Sequence, residues 1–292
     1  MEKILPDPRI PRPASAWYRD RLQQLKDYSE AKKNGAKFPG IPTGLKSLDN
    51  HIGGLQQGLH LLLASPGKGK TRFALNVARK AAIDGFPVVF ITADEGASIL
   101  TGRLFCLDTN TRLNDLQMGR VTESFTKYVS DLPAWNNNIY FQEVNKLDIE
   151  STGKLLKERI EKKQSRMGLV VVDYIQAIAS TMQRNEIRLA VGELAQQIRN
   201  VAKDCKSPAL VISSVGRKHY DNPDISSGKE SGDLEFSADT VMSLKQPDKG
   251  STDVTLKIDK NRWGEKDKEI DIVVNAAVGS IAERKDNFLH AA

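Results

Sequence analysis

The amino-acid sequence predicts a doubly wound α/β domain, with a mostly parallel sheet and antiparallel strands towards its C-terminal end. Three observations predict it. The apolar run Leu59–Ala64 ends in a Gly-rich turn and leads into an amphipathic segment. A second apolar run, Val88–Thr92, follows that segment and closes one β-α-β unit, expected to be parallel and right-handed. A third, Leu169–Val172, is unbroken and ends on a carboxylate, Asp173. A carboxylate at the end of a buried strand lies where open α/β sheets bind ligands.

The elements read in order as follows. Pro6, Pro8, Pro11 and Pro13 favour an extended arm. Ser15 is placed to cap a helix running to Lys33, with Trp17, Tyr18, Leu22, Leu25 and Tyr28 near one face. Leu45–Leu55 reads as a short helix closed by Gly53-Gly54. The helix after the Gly-rich turn carries Phe73, Ala74, Val77, Ala78, Ala81 and Ala82 as one stripe. One helical stretch is expected over Ile99–Val129, then a strand at Ile139–Val144 and a helix at Ile149–Lys163. Ile187, Val191, Leu194, Ile198, Val201 and Cys205 mark a further helix, and Ala209–Ser213 a strand. After Asp239 four strands are predicted: Thr240–Leu244, Val254–Ile258, Ile270–Val274 and Ser280–Glu283.

Composition narrows the classes. A chain of 292 residues, 39% hydrophobic and 27% charged, is ordinary for a globular protein of one large or two small domains. No apolar run approaches the ~20 residues of a membrane helix. The Pro- and charge-rich N-terminus has no apolar core of a secretory signal. Cys106 and Cys205 lie far apart and are expected as buried free thiols in a reducing cytoplasm. The four histidines show no metal-ligand spacing. A net charge of +6 permits a polyanionic partner without demanding one.

The chemistry sits at strand ends. Ser65-Pro66-Gly67-Lys68-Gly69-Lys70-Thr71-Arg72 is the candidate nucleotide-binding stretch, although Ala64 stands where the usual G-x-x-x-x-G-K-[ST] pattern opens on Gly. Gly67 and Gly69 let backbone N–H groups crowd around a phosphate. Lys70 is suited to the β- and γ-phosphates, and Thr71 to Mg²⁺. The following helix points its positive end at the anion. Asp173 complements Thr71 as a Mg²⁺ site. The strand Val88–Thr92 leads into Asp94 and Glu95, one of which is placed to polarise an attacking water; spacing alone leaves both open.

With these motifs in order, the chain resembles the ATPase domain of DnaB-type hexameric replicative helicases, of the RecA-like fold. The resemblance covers Phe38 to Ile281. It is carried by the opening motif Gly40-Ile41-Pro42-Thr43-Gly44-Leu45-Lys46-Ser47-Leu48-Asp49, the phosphate loop, and Phe73-Ala74-Leu75-Asn76. Val172-Asp173-Tyr174-Ile175-Gln176, Lys229-Glu230-Ser231-Gly232 with Ala238-Asp239, and Lys260-Asn261-Arg262 complete it. The resemblance implies a ring-forming motor that hydrolyses ATP with Mg²⁺ at subunit interfaces and unwinds DNA while moving on single strands. Strand-end alignment puts Asp94 at the family's catalytic glutamate, with Glu95 just after it. Asp is one methylene shorter, so Glu95 remains the second candidate. Ser214 falls at the family's γ-phosphate sensor, Arg262 at its arginine finger, and Lys260 at the finger's companion, with Trp263 packing the finger's stem. Loops after the Asp173 and Ser214 strands are expected to meet DNA through Arg184, Arg217, Lys218 and Lys229.

Two regions are implied: an N-terminal arm with a linker-type helix over 1–37, and the RecA-like ATPase domain over 38–292. The linker helix is expected to dock on the next subunit of a homo-hexamer. The short N-terminal region points to a compact helicase of a phage, plasmid or mobile element, or to a module completed by a primase or a helicase loader, in a bacterial cytoplasm. The alternative is a RecA-like recombinase or regulatory ATPase that binds DNA without unwinding it.

Overall fold

The computed structural model describes residues 11, 13–144, 148–182, 186–214, 232–246 and 252–284. Its chain forms two compact units, Met1–Pro39 and Gly40–Ala292. In the first, helix α1 spans Ala14–Lys33. Its N-cap is Pro13, in extended conformation, with no side-chain cap. Ser15 is therefore not the cap: the fixed φ of Pro13 starts the helix two residues earlier and leaves Ser15 inside the first turn. Of its apolar face only Ala16 is buried, while Trp17 and Tyr18 are 58% and 77% exposed.

In the second unit helix α2 (Lys46–Ile52) precedes strand β1 (Gly58–Ala64) and helix α3 (Lys70–Ile83). Then come β2 (Val88–Thr92), α4 (Ala97–Thr109), α5 (Leu113–Gln117), α6 (Thr122–Ser130) and β3 (Ile139–Glu143). Next are α7 (Ile149–Lys163), β4 (Leu169–Asp173), α8 (Ile175–Ala179), α9 (Ile187–Asp204) and β5 (Pro208–Ser214). Helix α10 (Gly232–Ser237) leads into β6 (Thr240–Lys245), β7 (Asp253–Asn261), β8 (Glu269–Asn275) and β9 (Ser280–Glu283).

The strands form a single sheet in the order β3-β2-β4-β5-β1-β6-β7-β8-β9. The run from β3 to β6 is parallel. β6 to β9 pair antiparallel. This is the predicted doubly wound sheet with its antiparallel extension, and the expected strands lie within or at the observed ones. Buried apolar side chains alternate between the two faces, as strand geometry requires. Leu62, Ala64 and Phe90 pack on one side with Phe73 and Ala78 of α3. Leu59, Leu61 and Leu63 pack on the other with Leu194 and Ile198 of α9. Continuous burial on both faces is why these strands read as unbroken apolar runs.

The single helix expected over Ile99–Val129 is instead three. Asn110 adopts φ 55 and Gly119 φ 69, left-handed backbone that no helix continues through. Asp108 then accepts hydrogen bonds from Arg79 of α3 and Tyr128 of α6, fastening the folded-back segment. The apolar stripe of α9 also departs from expectation at its start, where Ile187 is 39% exposed. Cys106 and Cys205 are buried free thiols.

The opening motif has a structural role. Thr43 donates from its amide and its hydroxyl to Asp49 Oδ1, both at 2.8 Å, and Gly44 N–H reaches Asp49 Oδ2 at 3.2 Å. This buried carboxylate holds the turn that delivers α2 against the sheet.

Candidate nucleotide-hydrolysis site

Register aligns the chemistry. Across the sheet Ala64 of β1 lies beside Ser214 of β5, and Thr92 of β2 beside Asp173 of β4. The loops leaving these four strand ends therefore meet along one edge. They surround an open cleft of about 300 Å³, lined by Pro66, Gly67, Gly69, Lys70, Thr71, Arg72, Asp94, Glu95, Arg103, Asp173, Tyr174 and Ser214.

The loop between β1 and α3 folds as its glycines allow. Gly67 and Gly69 sit at φ 77 and 89, and a Cβ at either meets no protein atom within 4 Å. Gly69 is the N-cap of α3, which presents its first turn to the cleft. Lys68 N–H donates to Ser65 O at 3.3 Å and tightens the loop. Ser65 is buried, and neither it nor Lys68 is among the lining residues. Lys70 Nζ is turned onto its own loop, donating to Ala64 O and Ser65 O at 2.9 Å each. Burial lowers its pKa to about 8, against the opposing pull of Asp173 and Asp94.

Asp173 is 4% exposed and accepts a hydrogen bond from the Thr71 hydroxyl. Desolvation raises its pKa to about 6; Glu95 and Asp94 add to the rise, while Thr71 and Lys70 oppose it. A buried carboxylate beside a hydroxyl, in a cleft with two more carboxylates, has the hard-oxygen chemistry of a Mg²⁺ site. Among the described residues no cluster of His, Cys, Asp and Glu makes a metal site alone. The chemistry of the pair Thr71–Asp173 therefore fits a Mg²⁺ ion.

The structure separates Asp94 from Glu95. Glu95 is gripped by Arg103 of α4: Nε reaches Oε2 at 2.8 Å and Nη2 reaches Oε1 at 2.7 Å. Thr92 Oγ1 also donates to Glu95 O at 2.7 Å. Asp94 is exposed in the cleft and makes no hydrogen bond or ion pair among the described residues. Arg72 lies in the same wall. Its Nε is buried without a partner, and burial and Arg103 lower its pKa while Glu95 opposes. Sequence reasoning missed Arg103; Glu95 lies just before the extended N-cap Gly96 of α4, so no helical spacing links the two. It also passed over Gln176 as a site residue. Gln176 Nε2 donates to Ser213 Oγ at 2.7 Å and to Ser214 O at 3.2 Å, and its Oε1 accepts from Ser214 N–H at 3.2 Å.

Lys260 and Arg262 do not join this cleft. β1 and β6 run parallel with His60 beside Thr240, and β7 returns antiparallel with Asn261 beside Thr240. Lys260 and Arg262 therefore lie at the N-terminal edge of the parallel strands, the edge opposite the phosphate loop. There Lys260 Nζ donates to Glu235 O at 2.9 Å and Phe236 O at 3.1 Å. Arg262 Nη1 donates to Asp239 Oδ1 at 2.9 Å. The Trp263 ring stacks on His60, centroids 5.5 Å apart, so it covers β1 instead of packing the arginine stem. Arg184, Arg217, Lys218 and Lys229 lie outside the described residues, as do Glu230 and Ser231.

A Gly-rich loop after β1, a carboxylate ending β4 and acids after β2 stand on the doubly wound sheet of the RecA-like P-loop fold. Residues 40–281 match the family described as DnaB-like helicase C terminal domain, and the chain belongs to that family. It is 29% identical over 242 residues to the replicative DNA helicase DnaC of Bacillus subtilis (strain 168), covering 79% of this chain and 52% of that protein. The chain thus spans about half the length of the curated relatives it matches. Among solved structures, the ATPase domain of G40P superposes with a TM-score of 0.79 at 18% identity, over 91% of this chain and 98% of that one. A DnaB-like replicative helicase, described with its interactions with primase, gives 0.77 at 19% identity, over 89% and 66%. These likenesses show the fold. No helix among the described residues is long and apolar enough to cross a membrane.

Proposed function

We propose that this chain is the motor of a replicative DNA helicase, a ring of identical subunits that hydrolyses ATP at its interfaces and translocates on single-stranded DNA. The observation that carries the reading is the division of the site between opposite edges of one sheet. The phosphate loop, Asp173 and Asp94 stand at the C-terminal edge; Lys260 and Arg262 stand at the other. A strand as long as β1 separates the two edges, ~3.3 Å per residue, so Arg262 reaches a phosphate only on a second copy. Family membership and the names of the relatives support the same reading.

In this reading the Gly67–Thr71 amides and Lys70 hold the ATP phosphates, Lys70 exchanging two carbonyl acceptors for phosphate oxygens. Thr71 and Asp173 would hold Mg²⁺, which would supply positive charge beside the phosphates. Asp94 is the base that orients and deprotonates the attacking water, because it alone of the acidic pair is unengaged. Glu95, fixed by Arg103, shapes the turn that presents Asp94. Ser214, held at its backbone by Gln176, links the γ-phosphate position to the end of β4. Arg262 of the neighbour, with Lys260, stabilises charge on the transferring phosphoryl group. Arg184, Arg217, Lys218 and Lys229 contact the DNA backbone without reading sequence. A bacterial replisome, with a primase or loader completing the machine, is its setting.

The test is ATP-dependent unwinding of a forked duplex by the wild type, Lys70→Ala and Arg262→Ala. Unwinding by the wild type alone is expected. ATPase stimulated by single-stranded DNA without strand separation would leave a DNA-dependent motor and remove the helicase. Equal hydrolysis by the wild type and Arg262→Ala would remove the shared site.

A further inference from the structure

The N-terminal edge holds a cluster that the shared-site reading does not by itself require. Asp239 ends the segment between α10 and β6, and its side chain is 9% exposed. Its Oδ2 accepts from Leu59 N–H at 2.9 Å, and its own N–H donates to Leu59 O at 2.7 Å. The carboxylate is therefore fixed to the first turn of β1. Its Oδ1 is shared by two guanidinium groups. Arg262 Nη1 lies at 2.9 Å and Arg199 Nη2, from α9, at 3.4 Å. Arg262 N–H also donates to Asp239 O at 3.0 Å. Arg199 is anchored independently, Nη1 donating to Ser237 O at 2.7 Å. Lys260 feels Arg262 and Arg199 as like charges and Asp239 and Glu235 as opposite ones. Among the described residues, Arg199, Lys260 and Arg262 thus share one neighbourhood with Asp239 and Glu235.

The two arginines differ in freedom. Arg262 is 45% exposed at its side chain, on the turn after β7; Arg199 is 31% exposed, on a helix and tied to a carbonyl. A finger that leaves Asp239 for a phosphate abandons a nearly buried carboxylate, and an uncompensated buried charge opposes that movement. Resting on the shared-site reading, we propose that Arg199 is the exchange partner of the arginine finger. It closes onto Asp239 Oδ1 as Arg262 departs to the neighbour's ATP, so the finger moves between two anions without leaving one unpaired. Asp239 and Arg199 are positioning residues: neither touches the nucleotide, and both set how readily Arg262 is released.

Mixed assemblies test this. Subunits carrying Lys70→Ala supply a finger but bind no ATP; subunits carrying Arg262→Ala bind ATP but supply no finger. Mixed, they are expected to regain hydrolysis. With Arg199→Gln added to the Lys70→Ala subunits, the mixture's kcat is expected to fall roughly tenfold with KM for ATP unchanged. Arg199→Lys in its place recovers most of the rate. Asp239→Asn, which keeps an oxygen for Leu59 N–H but releases both arginines, restores the rate in the Arg199→Gln background. An effect confined to donor subunits excludes damage to the ATP-binding cleft in cis. Recovery in the first mixture with no loss on adding Arg199→Gln overturns the exchange while leaving the shared site standing. A loss that neither Arg199→Lys nor Asp239→Asn reverses also overturns it. No recovery in the first mixture overturns the shared site and the exchange together.

Discussion

The two edges of the parallel sheet both mix acids with bases but differ in architecture. The C-terminal edge is a concave cleft of loops with three carboxylates and a lysine folded onto its own backbone. The N-terminal edge is a lattice of side chains on strands and helices, where Asp239 takes hydrogen bonds from Leu59 N–H, Arg262 and Arg199. The cleft exposes the Asp94 carboxylate and buries the Arg72 Nε without a hydrogen-bond partner. In the exchange proposed above the other edge holds a charge in reserve, and in the shared-site reading neither edge completes a hydrolysis site alone.

Substitutions at the two edges separate them, and the largest effect belongs to the edge remote from the ATP. Arg262→Ala is expected to slow hydrolysis by ~10³–10⁵. Nucleotide affinity, measured with a fluorescent ATP analogue on the isolated subunit, stays near wild type. A loss of affinity there would place the arginine in the cis site. At the cleft, Asp94→Asn is expected to lower kcat by ~10²–10⁴. Glu95→Gln lowers it less, because the Arg103 contact survives in part as a neutral hydrogen bond. The reverse order in steady-state rates would exchange the roles of the two acids.

The stability effects sit at the N-terminal edge. Gly58 has φ +137, and a Cβ there falls 2.3 Å from Asp239 Oδ2. Gly58→Ala is expected to cost about 2–4 kcal/mol in denaturant unfolding. The folded fraction keeps its nucleotide affinity, because the far end of β1 is untouched. His60 gives the smallest effect. Its Nε2 faces Gln56 O at 2.7 Å, a contact that requires the Nε2–H tautomer, and Nδ1 is buried without a partner. Burial lowers its pKa to about 4, with Gln56 and Asp239 opposing. The unfolded chain, titrating near 6.5, binds the extra proton first as pH falls. The stability contributed by neutral His60 is complete above pH 6.5 and is lost as pH drops towards 4. His60→Phe is expected to remove on the order of 3 kcal/mol from the stability lost between pH 6.5 and 4. An unchanged slope would mean that the ring is hydrated.

Much of this was legible in the chain. Strands buried on both faces declare themselves as apolar runs, and Val88–Thr92 and Leu169–Asp173 left little freedom. The phosphate loop was legible because its glycines and Gly-Lys-Thr stand in sequence order. What escaped depended on side chains brought together from distant segments. Nothing local marks Asp239 as the meeting point of β1, α9 and the turn after β7. Glu95 and Arg103 meet only because α4 is helical, and the sequence offered Asp94 and Glu95 as equals until that helix engaged one. The helix breaks at Asn110 and Gly119 were obscured by apolar residues continuing at helical spacing across both.

The position of Arg262 also has a counting consequence. In the shared-site reading a row of n chains contains n − 1 complete catalytic centres, and only closure supplies the last. Diluted below its assembly threshold the protein falls silent while every subunit remains folded. Activity plotted against concentration rises more steeply than linearly, and a break at one interface subtracts one centre without altering any other. In that reading turnover reports whether the ring is closed.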